Sequence, residues 1–573
     1  MRSLPHRSVC SQILLGYGIV FTIVSGCESR PAGRGAPDQR ADSGAASIFS
    51  TAAQFRDVAE DAGIHFVPRN GQAAGHLTIL ESLGTGAALL DYDQDGLLDV
   101  FLPGGGEFTQ TPETIGLPAA LFRNTGELKF SAVAAAAGVD SCAFYSHGAC
   151  VGDVDSDGFP DLLVTGYRGL LLYRNRGDGT FVDETNASGL TLRSWSTSSA
   201  WGDANGDGVL DLYLANYVDW SFEKHPVCHM QGHRDICAPK VFEPLSDKFY
   251  LGHGDGTFRD ATAEVGLVAG GKGLGVVAAD LDLDGDLDYY VTNDTTPNFL
   301  YRNDGRGRFA EVGLLSGTAF GETGEAEGSM GTDIGDFNGD GWPDLWVANY
   351  EYQSFALYRN ERDCRFQHVS GVTGITAVGA VYVGFGTTFL DFDLDGDEDL
   401  FATNGHVMNH PANSAVRQPP LLFENQAGRR FVNVANSAGA YLASPHLGRG
   451  VACGDLDRDG DPDLVVSHTN EPVAVLNNES KRGGSWLKVR LIGTTTHRDA
   501  VGARVNVVAG GQSFSKQLKG GSSYLSSPAN ELLFGLGPTK VIESLEVVWL
   551  SGRVQREQTP MINTAIAIPE TEP

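Results

Sequence analysis

The chain has 573 residues and a formal charge of −31, with 72 acidic against 41 basic side chains. It is too long for one ordinary domain. It is also too acidic for a nucleic-acid partner, because phosphate recognition needs a basic face.

Arg2 and Arg7 precede an apolar run at 13–24, which is too short for a membrane span and reads as a secretion signal. The run ends in Val24-Ser25-Gly26-Cys27, which resembles a bacterial lipobox. Residues 1–27 are therefore expected to be a lipoprotein signal, with Cys27 the lipidated first residue of the mature chain. Residues 28–54, rich in Ala, Gly, Ser and Pro, read as a tether. Glu28 is not the aspartate that favours inner-membrane retention in some bacteria. The expected location is the outer membrane or cell surface, with membrane contact through the lipid anchor only.

From residue 91 onward one acidic nonamer recurs seven times: DYDQDGLLD, DVDSDGFPD, DANGDGVLD, DLDLDGDLD, DFNGDGWPD, DFDLDGDED and DLDRDGDPD. Calcium takes six to eight oxygens. Side chains at positions 1, 3, 5 and 9, with the carbonyl of position 7 turned inward by the glycine at 6, supply such a set. The expected ligands are Asp91, Asp93, Asp95 and Asp99 in loop 1; Asp153, Asp155, Asp157 and Asp161 in loop 2; and Asp203, Asn205, Asp207 and Asp211 in loop 3. Loop 4 has Asp280, Asp282, Asp284 and Asp288, and loop 5 has Asp336, Asn338, Asp340 and Asp344. Loop 6 has Asp391, Asp393, Asp395 and Asp399, and loop 7 has Asp455, Asp457, Asp459 and Asp463. The cofactor expected is Ca²⁺, up to seven ions. The asparagines in loops 3 and 5 remove one charge each and weaken those two sites. The seven loops hold 30 of the 72 acids. One divalent ion per loop would bring the formal charge to about −17.

No glutamate follows at position 12, and the residues after each loop run apolar (VFLPG, LLVTG, LYLAN, YYVTN, LWVAN, LFATN, LVVSH). These are buried strands, so the loops are hairpin tips rather than helix-flanked calcium loops. Two further elements keep phase with the loops. One starts with Phe at 55, 130, 181, 258, 309, 366 and 431. The other is LFRN at 121, LYRN at 172, 300 and 357, FYLG at 249, LFEN at 422 and VLNN at 475. The loops start 50 to 77 residues apart, and a period of about 50–60 residues with about four strands is a propeller blade. The chain enters on a Phe element and leaves after an Asn element, so the N-terminal Phe strand is expected to complete the last blade.

Cys228 and Cys237 bracket an insertion, HPVCHMQGHRDICAPK, and are expected to pair in an oxidising compartment. A zinc site with His225, His229 and His233 is the rival reading. Cys142 and Cys150 form a second candidate pair. There is no GxSxG, HExxH or P-loop.

The DxDxDGxxD loops with flanking GxFxD and LYRN elements resemble FG-GAP/VCBS repeats, and the 486–552 stretch (WLKVRLIG…GGSSYLSSPANELLFGLG…LEVVWLSG) is similar to the ASPIC/UnbV domain. The pairing resembles the cartilage acidic protein family. The resemblance implies an all-β fold: a seven-bladed β-propeller like that of integrin α heads at 55–479, then a small all-β domain at 480–568. In such a propeller, residues before each first strand and after each second strand meet on the face away from the loops. That face would carry the ligand candidates His147, Lys272, Glu327, His406, His446 and Arg449. The function expected is a calcium-stabilised extracytoplasmic binding module for a protein or glycan. The alternative is a secreted calcium-dependent carbohydrate-active enzyme, a lyase or hydrolase.

Overall fold

A computed structural model describes residues 53–109, 113–481 and 483–571. The signal, Cys27 and nearly all of the tether lie outside the described residues. The fold is all-β. Among the described residues, seven four-stranded antiparallel sheets share one plan, each strand pairing with the one before it. In sheet I the strands are Ala88–Leu90, Asp99–Leu102, Ala120–Asn124 and Phe130–Ala132. The first two strands are joined by acidic loop 1 (Leu90 opposite Asp99). Sheets II to VI repeat this plan, with first strands Tyr145–Gly152, Ser196–Gly202, Gly273–Ala279, Ser329–Gly335 and Gly384–Leu390. Sheet VII takes Gly448–Gly454, Asp463–His468 and Ala474–Asn478, and its fourth strand is Phe55–Asp57, with Phe55 opposite Asn478. The N-terminal Phe strand thus completes the last sheet, as its phase predicts.

The second strands are buried on both faces, which explains their continuous apolar runs. Each first strand lies against that of the next sheet, and the first strand of sheet VII lies against that of sheet I. Ser467 Oγ donates to Thr85 O across this last junction. In sheets II and VI the equivalent threonines, Thr165 and Thr403, donate to Thr197 O and Arg449 O of the following sheet.

The remainder forms two sheets around a separate apolar core that includes Leu487, Val505, Phe534, Leu545 and Trp549. One sheet orders Leu532–Gly535, Trp486–Ile492 and Thr564–Pro569, the last two parallel. The other orders Gln512–Gln517, Arg504–Ala509, Ile542–Val548 and Val554–Glu557.

Between the Gln512–Gln517 and Leu532–Gly535 strands, the segment 520–529 leaves this domain and reaches the first strands of all seven sheets. Ser527 exchanges backbone bonds with Ala87 and Leu89, and Leu525 O accepts from Ala149 N at 3.1 Å. Leu525 N donates to Ser198 Oγ at 3.0 Å. Gly520 pairs with Ala278 and Ser523 with Thr332. Thr387 N donates to Ser523 Oγ at 3.1 Å, and Ala529 N to Cys453 O at 3.0 Å. The approach is so close that a Cβ on Gly86 would stand 1.7 Å from Leu525 O. Gly86→Ala should therefore lower the melting temperature, by the equivalent of about 1–3 kcal/mol. Gly371→Ala, whose added Cβ meets nothing nearer than 3.5 Å, should leave it nearly unchanged. Equal melts for the two variants would contradict this packing.

Candidate metal centre

Every loop is built on its ninth residue. Asp99 accepts from Tyr92 N at 3.1 Å and, through its other oxygen, from Asn124 N at 2.8 Å. Asp161, Asp211, Asp288, Asp344, Asp399 and Asp463 make the same pair of backbone bonds. Each carboxylate thus ties its loop to the third strand of its sheet. In loops 1 to 6 the first loop residue takes the N–H of the glycine, as in Gly158 to Asp153 at 2.8 Å and Gly341 to Asp336 at 2.7 Å. The loop backbone is therefore wrapped around carboxylates, and their oxygens are drawn together. Oxygens of Asp91, Asp93 and Asp99 lie within 4.8 Å of one another, as do those of Asp153, Asp155 and Asp161, of Asp280, Asp282 and Asp284, and of Asp391, Asp393 and Asp399.

Such clusters are costly without a cation. Burial, and after it the neighbouring carboxylates, push Asp99 and Asp161 up to about 8. Burial likewise lifts Asp211 to about 8, and Asp153, Asp280, Asp336 and Asp395 to about 7. Asp288, Asp344, Asp399 and Asp463 are pushed well above the carboxylate range for the same reason. The buried Oδ1 atoms of Asp91 and Asp93 accept no hydrogen bond. Converging, desolvated oxygens of this kind fit a hard divalent ion. In loops 3 and 5 the amides of Asn205 and Asn338 turn to donate to Asp207 and Asp340. Arginines partly offset the charge in three loops. Arg123 Nε meets Asp93 at 2.6 Å, Arg302 Nε meets Asp282 at 2.7 Å, and Arg174 contacts Asp155 and Asp161.

Two groups of residues at the loops had no assigned role in the sequence. The first is the asparagine that ends six of the seven LYRN-type elements, the FYLG element ending in Gly252 instead. Asn360 Nδ2 donates to Pro343 O of its own loop and to Leu281 O of the preceding loop, both at 2.8 Å. Asn124, Asn175, Asn303, Asn425 and Asn478 make the same link to a neighbouring loop. The in-phase recurrence of this Asn was the signal that could have revealed it. The second is the charged edge of the C-terminal domain, which covers the loops. Lys488 Nζ meets Asp455 at 2.8 Å, Lys516 Nζ meets Glu398 at 2.6 Å, and Asp499 accepts from Asp153 N at 2.8 Å. Arg490 and Arg498 approach Asp91 and Asp153 at 3.9 and 3.7 Å.

The six candidates for the opposite face do not form an open site. The segment before the first strand of sheet I and the connections 217–247 of sheet III and 405–420 of sheet VI roof that end with an apolar cluster that includes Leu80, Leu83, Trp220, Phe242 and Met408. His147 is 0% exposed, its Nδ1 2.9 Å from Gly84 O, and burial lowers it to about 4. Arg449 is 2% exposed, donates to Ser82, Gly405 and Gly448 carbonyls, and lies over the Phe385 ring. Lys272 is buried and donates to Pro239 O at 2.8 Å. His406 is buried between Glu351 and Tyr350. These four hold the roof rather than present themselves. Glu327 and His446 are only half-buried. Burial lifts Glu327 to about 7, and His446 stacks on Tyr441 at 4.2 Å.

Cys228 and Cys237 are joined, their Cα atoms 5.2 Å apart. This pinned hairpin has no thiolate left for zinc, and His225 Nδ1 takes the Trp220 indole N–H. The Cys142–Cys150 pairing is corrected. Both are free thiols. Cys142 Sγ faces Phe144 O, whereas Cys150 points from its strand toward Ser199 O in sheet III.

An FG-GAP-like repeat pattern matches residues 91–164, 153–214, 232–291, 280–347, 336–402 and 391–466. The ASPIC and UnbV pattern matches 493–573. The chain is similar to cartilage acidic protein 1 of Mus musculus (24% identity over 421 residues, 70% of this chain and 61% of that protein). It is also similar to that of Xenopus tropicalis (26% over 431 residues, 70% and 61%) and of Homo sapiens (24% over 423 residues, 70% and 59%). It spans about three fifths of the length of these relatives. Among solved structures it is similar to an Agrocybe aegerita lectin whose structure concerns recognition of non-reducing terminal N-acetylglucosamine (TM-score 0.39, 18% identity, 71% of this chain and 90% of that one). It is also similar to the rhamnogalacturonan lyase YesW (TM-score 0.32, 13% identity, 85% and 91%). Likeness at this level carries no weight for the function of this chain.

The raised carboxylates set a pH dependence. Asp99, Asp161 and Asp211 hold protons up to about pH 8 in the fold, against an ordinary value of 3.8. The folded state then binds more protons than the unfolded state, so stability falls as pH rises. In chelator, the melting temperature should drop between about pH 4 and 8, and saturating divalent cation should abolish the drop. A chelated protein that melts higher at pH 8 than at pH 5 would contradict this.

Proposed function

The chain belongs to the FG-GAP repeat proteins that end in an ASPIC and UnbV domain, and on that premise we propose that it is a calcium-stapled, lipid-anchored extracytoplasmic module that binds a protein or glycan. In this reading the seven sheets are the blades of a seven-bladed β-propeller at 55–479. The loops hold Ca²⁺, up to seven ions, and Cys27 carries the anchor. Calcium supplies the positive charge the converging carboxylates lack, so its binding energy becomes folding energy.

The observation that carries the binding role is the position of the C-terminal domain. Its lysines and its Asp499 occupy the loop face, which leaves the roofed end to meet a partner. That end offers the half-buried Glu327 and His446, with Val227, Val241 and Tyr352 exposed at 56–62% on nearby loops. A glycan array together with a reducing-sugar and lyase assay on the purified ectodomain tests it. Calcium-dependent binding without turnover, weakened by His446→Ala or Glu327→Ala, is expected. Turnover would overturn the binding reading in favour of a carbohydrate-active enzyme.

Calorimetry on EDTA-stripped protein should register several equivalents of Ca²⁺ and a large rise in melting temperature. Asp395→Ala should remove about one equivalent. A melt indifferent to EDTA would refute the staple. Wild type should take up a palmitate analogue and partition with membranes, because stable anchoring needs at least two acyl signals. Cys27→Ser should stay unlabelled. A labelled Cys27→Ser protein would exclude the anchor.

A further inference from the structure

Loop 4 differs from its six counterparts. The turn between the third and fourth strands of a sheet lies over the acidic loop of the preceding sheet: Gly307 of sheet IV faces Asn205 of loop 3, and Gly428 of sheet VI faces Asn338 of loop 5. In sheet V this turn carries Cys364, with Sγ 3.8 Å from Asp288 Oδ2 of loop 4. The residue two before the fourth-strand Phe is Ala53, Leu128, Gly179, Gly256, Gly307 or Arg429 in the other sheets, so sheet V alone places sulfur there.

Donor atoms of Cys364, Asp282 and Asp288 lie within 4.8 Å of one another, and so do those of Asp280, Asp282 and Asp284. Asp282 is common to both groups. Its side chain is 2% exposed, and its Oδ1 accepts no hydrogen bond. A buried, unpartnered carboxylate oxygen within reach of the thiol and the other loop carboxylates is an independent sign of a missing ligand. Arg302 lies to one side, its Nε 2.7 Å from Asp282 Oδ2 and its Nη2 3.3 Å from Asp284 Oδ2. Asp284 is 36% exposed and opens the cluster to solvent.

All-oxygen sets select hard ions such as calcium, while a thiolate shifts preference toward softer, borderline ions. We propose that loop 4 and Cys364 form a mixed carboxylate–thiolate site that takes a divalent cation of zinc's class in preference to calcium. The sulfur binds as thiolate, and its proton leaves to solvent as the metal–sulfur bond forms. The proposal rests on the reading of the loops as cation sites, but its outcome is separable from that reading.

The test is Co²⁺, a coloured stand-in for zinc, titrated into the chelator-stripped full chain in excess Ca²⁺. One equivalent should give a sulfur-to-cobalt charge-transfer band in the near ultraviolet, which Zn²⁺ bleaches. Cys364→Ser should abolish the band and weaken zinc binding on the order of tenfold or more, since even the loss of an outer-shell partner costs that much. Combined Cys142→Ser, Cys150→Ser and Cys453→Ser should keep the band. Should Cys364→Ser fold poorly, Asp282→Asn provides the second test and should weaken the band in a protein that keeps its thiol. N-ethylmaleimide should label Cys364 more slowly with zinc than without, read by mass spectrometry. No band in wild type, a band that survives Cys364→Ser, or equal labelling with and without zinc would overturn the proposal. A band without calcium-dependent stabilisation would uphold this site and sink the calcium reading. Calcium stabilisation without a band would do the reverse.

Discussion

Seven times in this chain a buried aspartate, the ninth residue of an acidic loop, takes one backbone N–H from its own loop and another from the third strand of its sheet. This arrangement fixes the hairpin between the first two strands, and with it the register of the whole sheet. It also forces carboxylates together in a desolvated space, where each charge without a counter-charge is expensive. The remaining loop architecture answers that problem. Arginines reach into loops 1, 2 and 4, and lysines of the C-terminal domain reach loops 6 and 7. A divalent ion would complete the balance.

The C-terminal domain is bound up with the same constraint. Its charged edge lies on the loops, and from that edge the 520–529 segment passes among the seven first strands and bonds to each. The asparagine links join neighbouring loops of the same layer. Loop conformation, inter-sheet contact and docking of the C-terminal domain are thus consequences of one set of carboxylates.

Most of the repeat was legible in the sequence because its spacing is rigid. Glycine at position 6, Asp at position 9 and the apolar run behind them predict the hairpins. The early Phe55 predicts that the first strand belongs to the last sheet. What was not legible depends on contacts between distant segments. GGSSYLSSPA reads as a turn, and nothing local says that Tyr524 Oη will reach Leu83 O or that Ser523 will pair with Thr332. His147 and Arg449 read as free polar groups on a face, because the groups that cover them are distant in the chain: Gly84 O meets His147 from 63 residues away and Ser82 O meets Arg449 from 367 residues away. Cys142 and Cys150 lie close in sequence, yet strand geometry turns Cys150 toward the next sheet. Of the last two strands, Val554–Glu557 (VQRE) lacks the apolar density that marks most of the others, and Thr564–Pro569 (TAIAIP) pairs in parallel with the distant Trp486–Ile492, a partner that nothing local specifies.

The central claim is that cation-filled loops hold the seven sheets and the 520–529 segment as one cooperative unit. Hydrogen exchange followed by mass spectrometry, with calcium and then with chelator, addresses it most directly. The account predicts that chelation lowers protection in the seven loops and in 520–529 together. Loops that stay protected in chelator, or a segment that stays protected while the loops exchange freely, would contradict it.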